Sequence, residues 1–302
     1  MDAAAFARDL WEHRRVRHLY QCPMRWADLD LLGHVNNVVY VDYLQEARVD
    51  MMRTHAPDAR ADDLAEGVVV VRHEVRYRTP LTFRFRPVSI ECWVSEIRAA
   101  SFTMDYEIFD EDETGQRTTY LTARTVLTPY VFAAERPRRL RPEEKEALGR
   151  FLEPDQDGHR VPFTPVRRQE LGHFPVQVRF SDVDVYGHVN NVKYFEYLQE
   201  SRIPLMSRLG RNVGDVSTDV RIVIAQTDVD YRVPILFRER PYDTWTWVSH
   251  VGRTSVVFET IICDGDTVLS QARVVAVVYD PATERPTEPP ADFRAQLVAS
   301  MT

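Results

Sequence analysis

The stretch Arg25-Trp-Ala-Asp-Leu-Asp-Leu-Leu-Gly-His-Val-Asn-Asn-Val-Val-Tyr-Val-Asp-Tyr-Leu-Gln-Glu-Ala-Arg48 returns later as Arg179-Phe-Ser-Asp-Val-Asp-Val-Tyr-Gly-His-Val-Asn-Asn-Val-Lys-Tyr-Phe-Glu-Tyr-Leu-Gln-Glu-Ser-Arg202. Fifteen of the twenty-four positions are identical, at a constant offset of 154. Self-similarity of this length is the mark of a duplicated unit. The offset persists beyond the motif. Tyr77-Arg78 and Pro80 align with Tyr231-Arg232 and Pro234, and Trp93-Val94-Ser95 aligns with Trp247-Val248-Ser249. A shorter hairpin in the second copy then changes the offset, and the match resumes at Ala123-Arg124 and Ala272-Arg273. Each copy ends in an Arg-Pro followed by a short amphipathic helix.

The chain of 302 residues therefore reads as an N-terminal module over 1–152, a polar, Pro-bearing linker over 153–168 and a C-terminal module over 169–302. Within a module the order is strand, long helix, several strands. The run from Asn37 to about Thr54 has apolar side chains around most of its circumference, which predicts a helix about 27 Å long, buried on nearly all sides. Asn36 or Asn37 supplies its start signal. Val68–Tyr77, Val88–Ile97, Ser101–Phe109 and Thr118–Val131 are rich in Val, Thr and aromatic residues, with hairpin turns between them. One buried helix followed by consecutive antiparallel strands is an α+β layout in which the sheet wraps the helix.

The net charge of −8 is spread among interspersed acidic and basic residues, which argues against nucleic acid as a partner. Cys22, Cys92 and Cys263 are scattered with no Cys-x-x-Cys spacing, a pattern of reduced thiols. The first residues include Arg8, Asp9, Glu12, Arg14 and Arg15 and lack the apolar core of a signal peptide. No stretch approaches the ~20 apolar residues of a membrane helix. The expectation is a cytoplasmic protein. No His/Cys cluster has metal-ligand spacing, so no metal site is expected.

The repeated motif places two carboxylates, a glycine, an imidazole and two carboxamides just before a helix. The first N–H groups of a helix are unpaired and carry partial positive charge, so they can hold an oxygen that becomes anionic. A nearby carboxylate can deprotonate water or attack a carbonyl itself. Gly33 and Gly187 permit a left-handed turn and close approach of a ligand to the backbone.

The pattern Arg-x-x-Asp-x-Asp-x-x-Gly-His-Val-Asn-Asn-x-x-Tyr-x-x-Tyr-x-x-Glu-x-Arg, followed by Tyr-Arg-x-Pro, resembles hotdog-fold thioesterases of the 4-hydroxybenzoyl-CoA type and their acyl-ACP thioesterase relatives. The resemblance covers both halves and implies a tandem, or double, hotdog. It implies acyl-CoA thioester hydrolysis with CoA present only as part of the substrate, Asp30 and Asp184 as the catalytic carboxylates, and His34 and His188 as contributors. It also points to the backbone around Gly33-His34-Val35 and Gly187-His188-Val189 as the oxyanion site. Asn36 and Asn190 are expected to cap the helix or orient water. Plant-type acyl-ACP enzymes carry an Asn where this chain has Leu32 and Tyr186, so the resemblance favours the bacterial acyl-CoA type, with acyl-ACP as the other candidate substrate.

Arg78 and Arg232 are the candidates for contacting substrate phosphates. Glu46 and Glu200 are reserve catalytic carboxylates, with ion pairing to Arg48 and Arg202 as their default role. Asp28 and Asp182 are expected to brace the turn. The two halves should form a pseudo-dimer with two working sites at their junction, with further homo-oligomerisation open. The rival readings are a hotdog enoyl-thioester hydratase or dehydratase, whose Asn-Pro motif neither copy has, and a non-catalytic acyl-CoA-binding module.

Overall fold

The computed structural model describes residues 16–55, 67–154, 161–210, 221–283 and 285–301. The N-terminal charges and residues 155–160 of the linker lie outside them. The first module consists of β1 (His18–Cys22), α1 (Val39–His55), β2 (Val68–Tyr77), β3 (Val88–Ile97), β4 (Phe102–Glu111), β5 (Arg117–Val131), β6 (Arg136–Pro137) and α2 (Pro142–Gly149). The second repeats it as β7 (His173–Val176), α3 (Lys193–Arg208), β8 (Arg221–Tyr231), β9 (Tyr242–Val251), β10 (Ser255–Asp264), β11 (Thr267–Asp280), β12 (Arg285–Pro286) and α4 (Ala291–Ala299). This is the α+β double hotdog that the family resemblance implies.

The strands form one continuous sheet in the order β1-β3-β4-β5-β2-β8-β11-β10-β9-β7, a palindrome of the two modules. Its centre is the antiparallel pair β2–β8, in which Arg72 faces Asp230 and Glu74 faces Asp228. Glu74 and Asp228 are also equivalent in the repeat (74 + 154 = 228), so the pseudo-twofold axis passes between them. The two copies are thus joined by main-chain hydrogen bonds as well as by the covalent linker.

The sheet curls around the helices. In β3, Val88, Ile90, Cys92 and Val94 alternate with half-exposed Ser89, Glu91 and Trp93, the period of a strand with one buried face. The buried side meets α1, where Cys92 Sγ lies 3.8 Å from the Ala47 carbonyl and 3.5 Å from the Met51 sulfur. Tyr40, Val41, Tyr43, Leu44, Ala47, Met51 and Met52 of the helix are all buried, each large one stabilising the fold by about 1.5–3 kcal/mol. The same core cluster takes in Val192, Phe195, Leu198, Val229 and Ala272 of the second module, so the halves share a core.

Part of the linker forms a strap over the outer face of the second half-sheet. The Thr164 amide donates to both Glu259 oxygens at 3.1 and 2.9 Å, and Arg273 pairs with Glu259 at 2.8 Å while also donating to the carbonyls of Val161 and Pro162. The Phe163 ring lies beneath Arg273. The equivalent pair in the first module, Asp105–Arg124, bonds at 2.7 Å but keeps more exposure, 10% and 22% against 0% and 9% for Glu259 and Arg273. No described helix is long and apolar enough to cross a membrane.

Candidate functional site

Between the short strand and the long helix of each module, the repeated motif folds into a closed loop. Asp30 Oδ1 accepts from the amides of Leu32 (2.8 Å) and His34 (3.2 Å), while the Asp30 amide donates to the His34 carbonyl (2.7 Å). Asp184 does the same with Tyr186 (2.9 Å), His188 (3.3 Å) and the His188 carbonyl (2.8 Å). Gly33 and Gly187 close the loops at φ of 76° and 81°, a left-handed conformation that glycine adopts without a Cβ penalty. Both carboxylates are half-buried. One oxygen is fixed by the loop, and Oδ2 takes no hydrogen bond from any described residue.

Asp28 and Asp182 brace this arrangement. Asp28 Oδ2 accepts from the Arg25 amide at 2.6 Å and the Tyr43 hydroxyl at 2.5 Å, and Asp182 Oδ2 from the Arg179 amide and Tyr197. Each Asp thus ties the loop to its helix, and burial together with the Asp contact pushes both tyrosines well above their ordinary pKa. Just ahead of each helix Asn36 and Asn190 form a side-chain turn, their Oδ1 atoms accepting from the Val38 and Val192 amides at 3.0 Å. Asn37 and Asn191 do not cap.

The amides expected to receive an oxyanion are all engaged within the loop or with a neighbouring stretch of the chain. The Gly33 amide is bonded to the Asp30 carbonyl, that of His34 to the Asp30 side chain and that of Val35 to the Leu81 carbonyl; Gly187, His188 and Val189 are engaged in the same way. The next free donors toward the helix are the amides of Asn37 and Asn191, which have no partner among the described residues. Their carbonyls are held from the sheet, by Tyr77 Oη on Asn37 (2.8 Å) and Tyr231 Oη on Asn191 (2.9 Å). The two tyrosines occupy equivalent positions, a signal legible in the repeat that the sequence reading left without a role.

The two loops differ in what the other module brings to them. Asn191 is gripped from the first module: His73 Nε2 lies 3.1 Å from its Oδ1, and its Nδ2 donates to Gln45 Oε1 at 3.1 Å. His73 is fully buried, and burial followed by the Arg48 charge pushes its imidazole down to about 3, so it is neutral. At the equivalent position the second module has Thr227 (73 + 154 = 227). Phe132 stacks on Tyr186 at 3.7 Å between ring centroids and lies 5.8 Å from the His188 ring. In the other direction the corresponding residues are Pro281 and Leu32. His34 and His188 are half-buried at the loops.

Other expected residues fall outside this arrangement. Glu46 and Glu200 are exposed and pair with neither Arg48 nor Arg202. Residues two apart on a helix point to different sides, and here the glutamates face solvent while the Arg48 side chain turns inward, at 7% exposure. Arg78 is exposed, and Arg232 donates to Gln271 at 2.6 Å. Among the described residues no group of three potential ligands is placed to hold a metal. A small apolar cavity lies at the far end of α1, lined by Met51, Met52, His55, Met104, Ala147, Leu148 and Phe151.

The profile of the thioesterase-like superfamily matches residues 24–148 and again 178–297, once per module. The long-chain acyl-CoA thioesterase FadM of Escherichia coli is 23% identical over 123 residues, 40% of this chain and 93% of FadM. The uncharacterized protein YsmA of Bacillus subtilis is 33% identical over 84 residues, 27% of this chain, and the match spans only 53% of YsmA. Two solved structures share the tandem fold. A Lactobacillus plantarum protein described as an oleoyl thioesterase has a TM-score of 0.69 at 16% identity, covering 92% of this chain and 99% of its own. The 12:0-ACP thioesterase of Umbellularia californica has a TM-score of 0.68 at 16% identity, covering 87% and 97%. With both copies of the motif inside the matched segments, the chain belongs to the thioesterase-like superfamily.

Proposed function

We propose that the protein is an acyl-CoA thioesterase with one site at the start of each long helix. The observation that carries this reading is that each loop pins one oxygen of its aspartate and leaves the other free among the described residues, while the next amide toward the helix, at Asn37 or Asn191, also has no partner among them. Asp30 Oδ2, or Asp184 Oδ2, takes a proton from water as the water oxygen bonds to the thioester carbon. The carbonyl oxygen becomes anionic and is held by the free amide. Collapse of this adduct breaks the C–S bond, and the thiolate of CoA leaves with the proton returned by the carboxylic acid. The products are a carboxylic acid and free CoA, and no cofactor takes part.

His34 and His188 border the loop and shape access to it, and exposed Arg78 is available to a phosphate of the substrate. The test is release of free thiol from a panel of acyl-CoAs and acyl-ACPs. Thiol release from acyl-CoA supports the reading, and release from acyl-ACP alone changes the carrier. Hydration of crotonyl-CoA without thiol release assigns the site to a hydratase instead. Binding without either reaction makes it a sensor.

A further inference from the structure

Three residues of the first module hold one residue of the second module's site. Asn191 Oδ1 can only accept, and His73 Nε2 stands 3.1 Å from it, so that nitrogen carries the proton of the neutral ring. The other ring nitrogen, Nδ1, then accepts from the Thr125 hydroxyl at 3.0 Å. On the far side of the carboxamide, Asn191 Nδ2 donates to Gln45 Oε1 at 3.1 Å. The chain Thr125–His73–Asn191–Gln45 runs from β5 through β2 to α1 and crosses the module boundary twice. His73 and Thr125 are fully buried. The Tyr231 hydroxyl fixes the carbonyl of the same asparagine at 2.9 Å. The twin site is built differently. Thr227 stands in the place of His73 (73 + 154 = 227) and has no imidazole to offer. Gln199, the twin of Gln45, makes no hydrogen bond with Asn37 among the described residues. The contact common to both sites is the tyrosine on the carbonyl, Tyr77 on Asn37.

A buried polar chain whose members satisfy one another is rigid, and breaking one link leaves a donor or acceptor unmet. The asparagine that this chain immobilises is the residue whose backbone amide is the candidate oxyanion donor. A donor fixed before the reaction needs no reorganisation when negative charge develops. We propose that His73 and Gln45 are positioning residues for the Asp184 site, supplied in trans by the first module. This rests on the thioesterase reading. Neither side chain touches the substrate in this role; both act by setting where the Asn191 amide points. The amide's aim matters to the developing oxyanion and not to ground-state binding, so the effect appears in kcat and leaves KM unchanged.

The experiment follows thiol release from the acyl-CoA that the wild type turns over best, in backgrounds that retain one aspartate. Asp30→Asn leaves the Asp184 site. Adding His73→Thr, which copies the twin's residue, lowers kcat about 10-fold with KM unchanged. His73→Gln, whose carboxamide still donates to Asn191, recovers most of that loss. Gln45→Met, at the less buried end of the chain, lowers kcat in the same direction by about 3- to 10-fold. In the Asp184→Asn background, which leaves the Asp30 site, the losses from His73→Thr and Gln45→Met are several-fold smaller. Thermal melting of each variant separates loss of fold from loss of rate, and should His73→Thr fail to fold, Gln45→Met carries the comparison. Where Asp184→Asn alone abolishes turnover, the kcat loss in the Asp30→Asn background and its recovery by glutamine decide. Equal losses in both backgrounds, a loss in KM instead of kcat, or no turnover by Asp30→Asn itself overturns the proposal while leaving the enzymatic reading intact. Absence of thiol release by the wild type overturns both.

Discussion

Asp30 and Asp184 have two jobs on two different oxygens, so substitutions can separate them. In Asp→Asn the retained Oδ1 still accepts from the amides of residues 32 and 34, or 186 and 188. The loop keeps its shape, but the atom replacing Oδ2 is an NH2 group that cannot take a proton. Loss of a general base costs ~10²- to 10⁴-fold in rate, about 3–5 kcal/mol at 1.36 kcal/mol per decade. Each single Asn variant is expected to retain the turnover of its undamaged site, and the double variant to fall by at least a hundredfold, all three melting near the wild type. Asp→Ala removes the acceptor as well. Two amides per loop lose a charged partner, and because the loops are half-exposed to water the cost is about 1–2 kcal/mol each. The Ala variants should therefore be as inactive as the Asn variants and measurably less stable. Thiol-release kinetics and thermal denaturation on the same preparations read both effects. A double Asn variant that keeps more than a tenth of wild-type turnover would refute the role given to these carboxylates.

Further expectations follow from single contacts. In a single turnover in ¹⁸O-water with enzyme in excess, the product acid should carry one ¹⁸O from the first turnover, because water and not the aspartate attacks; unlabelled first product would make the aspartate the nucleophile. His73, with a folded pKa of about 3 against ~6.5 unfolded, takes up a proton on unfolding below pH 6.5. Its contribution to stability is complete above that pH and fades as pH falls toward 3, by up to about 1.4 kcal/mol per unit. His73→Gln should flatten this limb of the stability–pH curve, and an unchanged limb would contradict the assignment. At Gly172 an added Cβ would lie 1.7 Å from the Thr246 carbonyl oxygen, so Gly172→Ala should destabilise by about 1–3 kcal/mol, seen as a lower Tm. Arg273→Met strands the fully buried Glu259 and should cost about 3–5 kcal/mol; Arg124→Met, beside the less buried Asp105, should cost less in the same denaturant titration.

The features legible in the sequence were those set by local pattern or by repetition. Alternation and β-branched content placed β2 and β3 at the ends observed, and the repeat itself implied the double fold. The helix starts two residues later than Asn37 because Asn36 holds the Val38 amide with its side chain and the Val39 amide with its carbonyl, a turn that precedes the helix and has no pattern of its own in the sequence. Proximity along the chain suggested Glu46–Arg48 and Glu200–Arg202 pairs, which helix geometry separates. The engaged amides of Gly33 to Val35 could not be seen because two of their partners are backbone carbonyls, one of them at Leu81 in a distant loop. His73 and Phe132 left no trace in the repeat, since each contacts the other module and neither has a like residue in the second copy. The segment from Val161 to Thr164 read as a plain linker because its anchor, Glu259, is 95 residues away.

The β2–β8 seam has a consequence for how such a protein can change. When two identical chains meet on a symmetry axis, every substitution arrives twice, and a residue on the axis meets its own image. Here the axis falls between Glu74 and Asp228, two genetically independent positions. A histidine can be tried on one side while a threonine stays on the other, and one loop can gain an aromatic lid without imposing it on its twin. Joining the copies in one gene has freed the two halves of a shared structure to specialise separately.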